Sequence, residues 1–99
     1  MTNTPAFWQF AGAYLHQDWA EVHGDEWRAL DSFIAGEPHL APSLPEEIEQ
    51  ILREHRSEAE LATFVDGQGA AFLPSADQGG YHGWLTEVAR RVRAATGQS

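Results

Sequence analysis

The sequence predicts an all-α fold, a compact bundle of about five short helices with room for one short extended segment. Two observations predict it. Apolar residues recur at helical spacing in five separate segments, and serine or aspartate followed three residues later by glutamate, the pattern of a capping box, occurs three times. With 99 residues, of which 42% are hydrophobic, the chain has the size of one domain spanning residues 1–99.

The first two predicted helices lie in the N-terminal third of the chain. Pro5 suits the first turn of a helix, where its missing N–H is not needed. Gly36, followed by Pro38, is a typical helix end. The inward-facing residues predicted for these helices are Phe7, Phe10, Ala11 and Tyr14 in the first, and Trp27, Leu30, Phe33 and Ile34 in the second.

Two serine capping boxes predict where the third and fourth helices begin. Ser43 with Glu46, and Ser57 with Glu60, have the spacing at which each side chain can bond a free backbone N–H of the first turn. Residues 70–74, AAFLP, form the predicted extended segment. The inward-facing residues predicted from here on are Ile48, Ile51, Leu52, Leu61, Phe64 and Val65, and then Trp84, Leu85, Val88, Val92 and Ala95 in the last and longest helix. The predicted core contains Phe10, Trp27, Leu30, Ile51, Leu61, Phe64, Leu85 and Val88.

The charge of the chain is strongly negative and unevenly distributed. There are 15 acidic and 6 basic residues, for a formal net charge of -9, and every basic residue is an arginine. Three of the arginines fall in the last ten residues, at Arg90, Arg91 and Arg93. An acidic surface repels phosphate backbones and disfavours direct binding of nucleic acid. It attracts a basic protein, although the same charge could serve solubility alone.

Several classes of protein are disfavoured by what the sequence lacks. It contains no cysteine, which rules out disulfides and thiolate metal sites. The N-terminus has neither the basic region nor the apolar run of a signal peptide, and no apolar segment approaches the length of a membrane span. We therefore expect a cytoplasmic protein.

Residues 13–27, AYLHQDWAEVHGDEW, are the one segment dense enough in polar and aromatic groups to suggest a site. The structural interpretation is a joint between helices, in which Asp18 caps a turn and Tyr14 and Trp19 pack inward. A metal site would need His16 and His23 on one unbroken helix face, and the capping signals between them argue against it. The joint is the preferred interpretation.

The sequence shows no catalytic signature. It has no G-x-S-x-G element, no cysteine nucleophile and no phosphate-binding glycine loop. The adjacent carboxylates Glu46 and Glu47 are expected on an exposed helical turn, where nothing would shift their pKa values. We therefore predict neither an enzyme nor a bound cofactor or metal, but a protein that acts by binding.

The chain resembles the small immunity proteins of contact-dependent growth inhibition, the CdiI type with a Tyr-x-x-Gln-Asp-Trp signature. The resemblance covers about residues 7 to 93. The residues that carry it are Tyr14, Gln17, Asp18, Trp19 and Trp84, together with LPEEIEQILREHRSEAEL and YHGWLTEVARRV. It implies a bacterial protein that binds the C-terminal toxin domain of an exported effector, CdiA, and protects the cell. Many such toxins are nucleases, whose phosphate-binding surfaces are basic.

The residues predicted to contact the partner are acids that lie off the apolar stripes, where folding should not need them. They are Asp25, Glu26, Asp31, Glu47, Glu54 and Glu58. Two alternatives remain open, a small enzyme and an acidic adaptor that mimics phosphate and regulates some other basic protein. An enzyme would require a concave site with buried, pKa-shifted groups.

Overall fold

The computed structural model describes residues 4–15, 26–55, 57–68 and 79–97, and within these ranges all regular structure is helical. These ranges contain five α-helices: α1 (Pro5–Gln9), α2 (Glu26–Gly36), α3 (Leu44–Glu54), α4 (Glu58–Gly67) and α5 (Gly80–Thr96). The predicted all-α class is confirmed. The extended segment predicted at residues 70–74 and the capping pair Asp18 and Glu21 lie outside the described residues.

Helix α1 continues into a π-helix at Phe10–Tyr14. Pro5 occupies the first turn, as predicted. The predicted apolar face is confirmed, since Phe7, Phe10 and Ala11 are buried and Tyr14 is half-buried.

Helix α2 ends at Gly36, as the sequence predicted. The N–H of Glu37 still bonds the carbonyl of Phe33, at 2.8 Å, and the carbonyl of Glu37 accepts from Leu40 and Ala41. These bonds turn the chain into a single 3-10 turn at Ala41–Ser43 that leads directly into α3.

The capping box predicted at Ser43 is wrong. Ser43 lies in the right-handed helical region, at φ -84° and ψ -18°, and its side chain makes no capping hydrogen bond. The 3-10 turn already gives this residue helical backbone angles, whereas a capping side chain needs an extended backbone to reach the N–H groups of the first turn. Pro45 also removes one of those donors.

The second serine cap is confirmed at the start of α4. Ser57 has extended backbone angles, and its Oγ accepts a 3.1 Å hydrogen bond from the backbone N–H of Glu60. The Ser57 hydroxyl also lies 3.1 Å from the Glu60 carboxylate, to which it donates. The two serines carry the same motif, and they differ in their own backbone angles, which are extended only at Ser57.

Helix α5 is the longest, with 17 residues, and lies against α2, α3 and α4. Trp84, Leu85, Val88 and Val92 are buried, as predicted. Ala95 is exposed, so its predicted place in the core is wrong. The buried stripe ends at Val92, and Gly97, with a φ of 76°, terminates the helix by donating its N–H to the carbonyl of Arg93.

The buried side chains form one cluster in which aromatic rings link α1 to its neighbours. The ring of Phe10 lies 5.4 Å from that of Phe33 and 6.3 Å from that of Trp84. Phe7 stacks on Phe64 at 5.9 Å. Burying each such side chain contributes about 1.5–3 kcal/mol. Of the predicted core, Trp27 and Phe64 are half-buried at its edge, and the other six residues are fully buried.

Candidate partner-binding surface

The predicted contact acids separate into two groups in the structure. Asp31 and Glu54 are exposed, on α2 and at the end of α3, and Glu26 is partly exposed at the start of α2. These positions fit the expected solvent-facing surface. Asp25 lies outside the described residues.

Glu47 belongs to the second group, and the expectation that it faces solvent is wrong. Its side chain is buried. The carboxylate accepts hydrogen bonds from the backbone N–H groups of Ala6, at 3.1 Å, and Phe7, at 2.9 Å. Burial raises the pKa of Glu47 above its ordinary value, and the two N–H donors oppose that rise. Glu47 therefore completes the first turn of α1 and presents little of its surface to solvent.

Glu58 is exposed, yet it also holds the start of another helix. Its carboxylate accepts from the backbone N–H of Tyr81, at 2.6 Å, and of His82, at 3.0 Å, in the first turn of α5. Gly79, at the cap position, has no side chain to serve those donors. The premise that folding does not need Glu58 is therefore wrong.

Both described residues of the family-like motif lie in or against the core. Tyr14 is half-buried, with its ring 5.6 Å from Phe33 in an edge-on arrangement. Its hydroxyl lies so close to Gly36 that a Cβ there would be 2.7 Å away. Trp84 is buried against Phe10. Gln17, Asp18 and Trp19 lie outside the described residues, so the predicted joint between helices stays a prediction.

The arginines of the C-terminal segment contact acids and an aromatic ring of the chain itself. Arg93 bonds Glu49 of α3 at 2.5 Å. Arg91 lies 2.8 Å from Glu87, and its guanidinium carbon is 4.0 Å from the centre of the Trp27 ring.

Glu87 receives a second arginine as well. Arg90 bonds it at 2.5 Å, and the hydrogen bonds from Arg90 and then Arg91 lower the pKa of Glu87 to about 2. The three arginines near the end of the chain thus pair with acids of the chain itself.

Trp8 is the most exposed large hydrophobic side chain among the described residues, at 60%, and it is not among the site residues predicted from the sequence. It lies beside a concavity of about 220 Å³ lined by Gln9, Gly12, Ala13 and Gln68. A signal was present in the sequence, because Trp8 falls between the inward positions Phe7 and Phe10 and so points away from the apolar stripe.

A second concavity, of about 360 Å³, lies along α4. Its walls are His55, Ala59, Glu60, Thr63 and Phe64. The rings of His55 and Phe64 are 4.7 Å apart and form its apolar side.

No group of three histidine, aspartate or glutamate side chains is placed to hold a metal ion in the ranges that the structure describes. None of the helices described is long and apolar enough to cross a bilayer.

These features define a small helical protein with one aromatic-rich core, an acidic exterior and an exposed tryptophan. A family model described as CdiI immunity protein matches residues 3–92, and the chain belongs to that family. No curated protein matches the chain, and no solved structure does. The resemblance inferred from the sequence is confirmed, and the family points to a protein that neutralises a toxin.

Proposed function

We propose that this protein binds the C-terminal toxin domain of a cognate CdiA effector in the bacterial cytoplasm and thereby protects the cell from contact-dependent growth inhibition. The single observation that carries the proposal is the family match over residues 3–92. The protein acts by stoichiometric binding, without a catalytic step or a cofactor of its own.

The charge of the protein supports a basic partner, and we propose that the toxin is a nuclease. A nuclease needs a basic surface to hold phosphates, and a net charge of -9 complements such a surface. Charge complementarity mainly accelerates the encounter of two proteins. The acids proposed to provide it are now Asp25, Glu26, Asp31 and Glu54, because Glu47 and Glu58 hold helix N-termini.

An acidic adaptor of some other basic protein is the second candidate, and it is favoured only by the same net charge. The two candidates differ in partner rather than in physics. A gene for a very large exported protein with a variable C-terminus directly upstream would support the immunity function, and its absence would favour the adaptor.

The test is co-expression with the C-terminal toxin domain of the cognate CdiA effector. We expect the toxin domain alone to arrest growth, and co-expression of this protein to restore growth and to yield a complex that purifies as one species. A toxin domain from an unrelated effector is the control, which this protein should neither bind nor neutralise. Growth arrest that persists despite abundant folded protein would refute the proposed function. The nuclease assignment is checked separately, by whether the purified toxin domain degrades DNA or RNA.

A further inference from the structure

The Trp8 side chain is largely exposed to solvent. It is 60% exposed, whereas the other large hydrophobic side chains in the described ranges are buried or half-buried. Single exposed apolar residues are common on protein surfaces. An exposed tryptophan carries more weight than most, because tryptophan is among the residues most enriched at the energetic centres of protein interfaces.

Helix α1 holds Trp8 in a fixed position. Phe7, immediately before it, is buried and donates its backbone N–H to the carboxylate of Glu47. Gln9, immediately after it, donates from Nε2 to the carboxylate of Glu37 at 3.1 Å. Binding then has to order only the Trp8 side chain and not its backbone, and a preorganised backbone favours affinity.

The surface beside Trp8 is concave and not charged. Gln9, Gly12, Ala13 and Gln68 line the 220 Å³ concavity, and with Trp8 they form what we call the Trp8 patch. Gly12 and Ala13 belong to the π-helix Phe10–Tyr14. Segments of π-helix are rare and are found frequently at functional sites. An apolar anchor with amide groups around it has the composition of an interface centre, from which charged residues are depleted.

We propose that the Trp8 patch is the anchor of the toxin interface, with Trp8 entering an apolar slot on the toxin domain. This inference rests on the proposed function. A second copy of this chain is a poorer occupant, because two molecules that each carry a net charge of -9 repel one another, whereas a basic toxin domain is attracted. The acids on α2 and α3 then set the rate of encounter, and the Trp8 patch sets the lifetime of the complex.

The test compares variants for binding to a catalytically inactive form of the cognate toxin domain, by surface plasmon resonance. Trp8→Ala should raise the dissociation rate at least about 30-fold, the scale of an interface hot spot, and change the association rate little. Thr86→Ala is the matched control, since Thr86 is exposed on α5 and bonds only the carbonyl of His82 within its own helix. It should bind like the wild type.

A second variant separates loss of contact from loss of fold. Gly12→Gln fills the concavity while replacing a helical glycine with a better helix former, and a Cβ at Gly12 would meet only the Gln68 carbonyl, at 3.5 Å. We expect faster dissociation with a melting temperature no lower than that of the wild type.

The three possible outcomes distinguish failure of this inference from failure of the proposed function. If wild type binds the toxin domain and Trp8→Ala dissociates at the same rate, the patch is not the anchor and only this inference fails. If wild type forms dimers that Trp8→Ala abolishes, the patch serves self-association and the inference is overturned. If wild type does not bind the toxin domain at all, the proposed function fails and the inference falls with it.

Discussion

The carboxylate of Glu47 accepts a 2.9 Å hydrogen bond from the backbone N–H of Phe7, a residue 40 positions earlier in the chain. Helix α1 thus takes its N-terminal cap from the first turn of α3, since Thr4 at the cap position makes no side-chain bond. The same arrangement recurs between Glu58, at the start of α4, and Tyr81, in the first turn of α5. Two acids that look like surface charges in the sequence therefore connect helices that are distant along the chain.

Replacing Glu47 by alanine should destabilise the fold by about 2–3 kcal/mol, because it leaves two N–H groups in a buried place without an acceptor. Urea unfolding measured by circular dichroism would give this difference. The neighbouring Glu46→Ala is the control. Glu46 is exposed, so its loss should change the free energy of unfolding by no more than about 0.5 kcal/mol. Equal effects of the two substitutions would contradict the structural role of Glu47.

The same carboxyl group should make stability depend on pH. Burial raises its pKa in the folded state above the ordinary value of 4.5. The folded state therefore holds this proton more tightly than the unfolded state does. The resulting stabilisation is fully present below pH 4.5 and is lost as the pH rises through the higher folded-state pKa.

The experiment is a series of urea unfolding curves from pH 4 upward for wild type and Glu47→Gln. The glutamine cannot titrate, so subtracting its curve from that of the wild type isolates the Glu47 contribution. We expect the free energy of unfolding of wild type to fall relative to that of Glu47→Gln as the pH rises. A difference that stays constant with pH, or that favours wild type at higher pH, would contradict a raised pKa of Glu47 in the folded state.

Glu58 should contribute to stability through the start of α5. Glu58→Ala removes the acceptor for the N–H groups of Tyr81 and His82 and should cost about 1–2 kcal/mol. Gly80→Ala should destabilise as well, because Gly80 has a φ of 68° and a Cβ there would overlap the Glu58 carboxylate. Thermal melting of both variants would test this. If Glu58→Ala melts like wild type but binds the toxin domain more slowly, Glu58 is a contact residue after all.

The sequence predicted the helical class and most of the core because helical spacing is a local property. Phe10, Leu30 and Val88 are buried where the periodicity placed them. The same reasoning failed for Glu47 because its partners, Ala6 and Phe7, are brought to it only by tertiary packing.

Position within an element accounts for the other differences. Ser43 and Ser57 carry one motif, but Ser43 is the last residue of a 3-10 turn, whereas Ser57 has the extended backbone that a cap needs. The helical periodicity did not identify Trp8, because an apolar stripe includes only the inward-facing residues of a helix and Trp8 faces outward. The exposed acids could be chosen by pattern, yet nothing local distinguishes an acid that meets a partner from one that holds a helix.

Asp18 remains predicted to cap the joint that follows the first helix. If it does, Asp18→Ala should cost about 1–2 kcal/mol, and protection of cells from the toxin should fall only in proportion to the loss of folded protein. Melting curves and the growth assay, performed on the same variant, distinguish the two effects. A variant that melts like wild type but no longer protects would identify Asp18 as a contact residue.

Association with the toxin domain should depend on salt and on the exposed acids of α2 and α3. Replacing Glu26, Asp31 and Glu54 together by their amides lowers the negative charge by three without removing apolar contacts, so the association rate should fall while the dissociation rate changes little. Raising the salt concentration should slow wild type in the same way, because charges are screened over about 8 Å at 0.15 M. Stopped-flow mixing at three salt concentrations measures both effects.

The control is Trp8→Ala, which should keep the salt dependence of wild type while releasing the toxin faster. A wild-type association rate that ignores salt would mean that the acidic surface serves solubility, and the contact assignments on α2 and α3 would then be discarded.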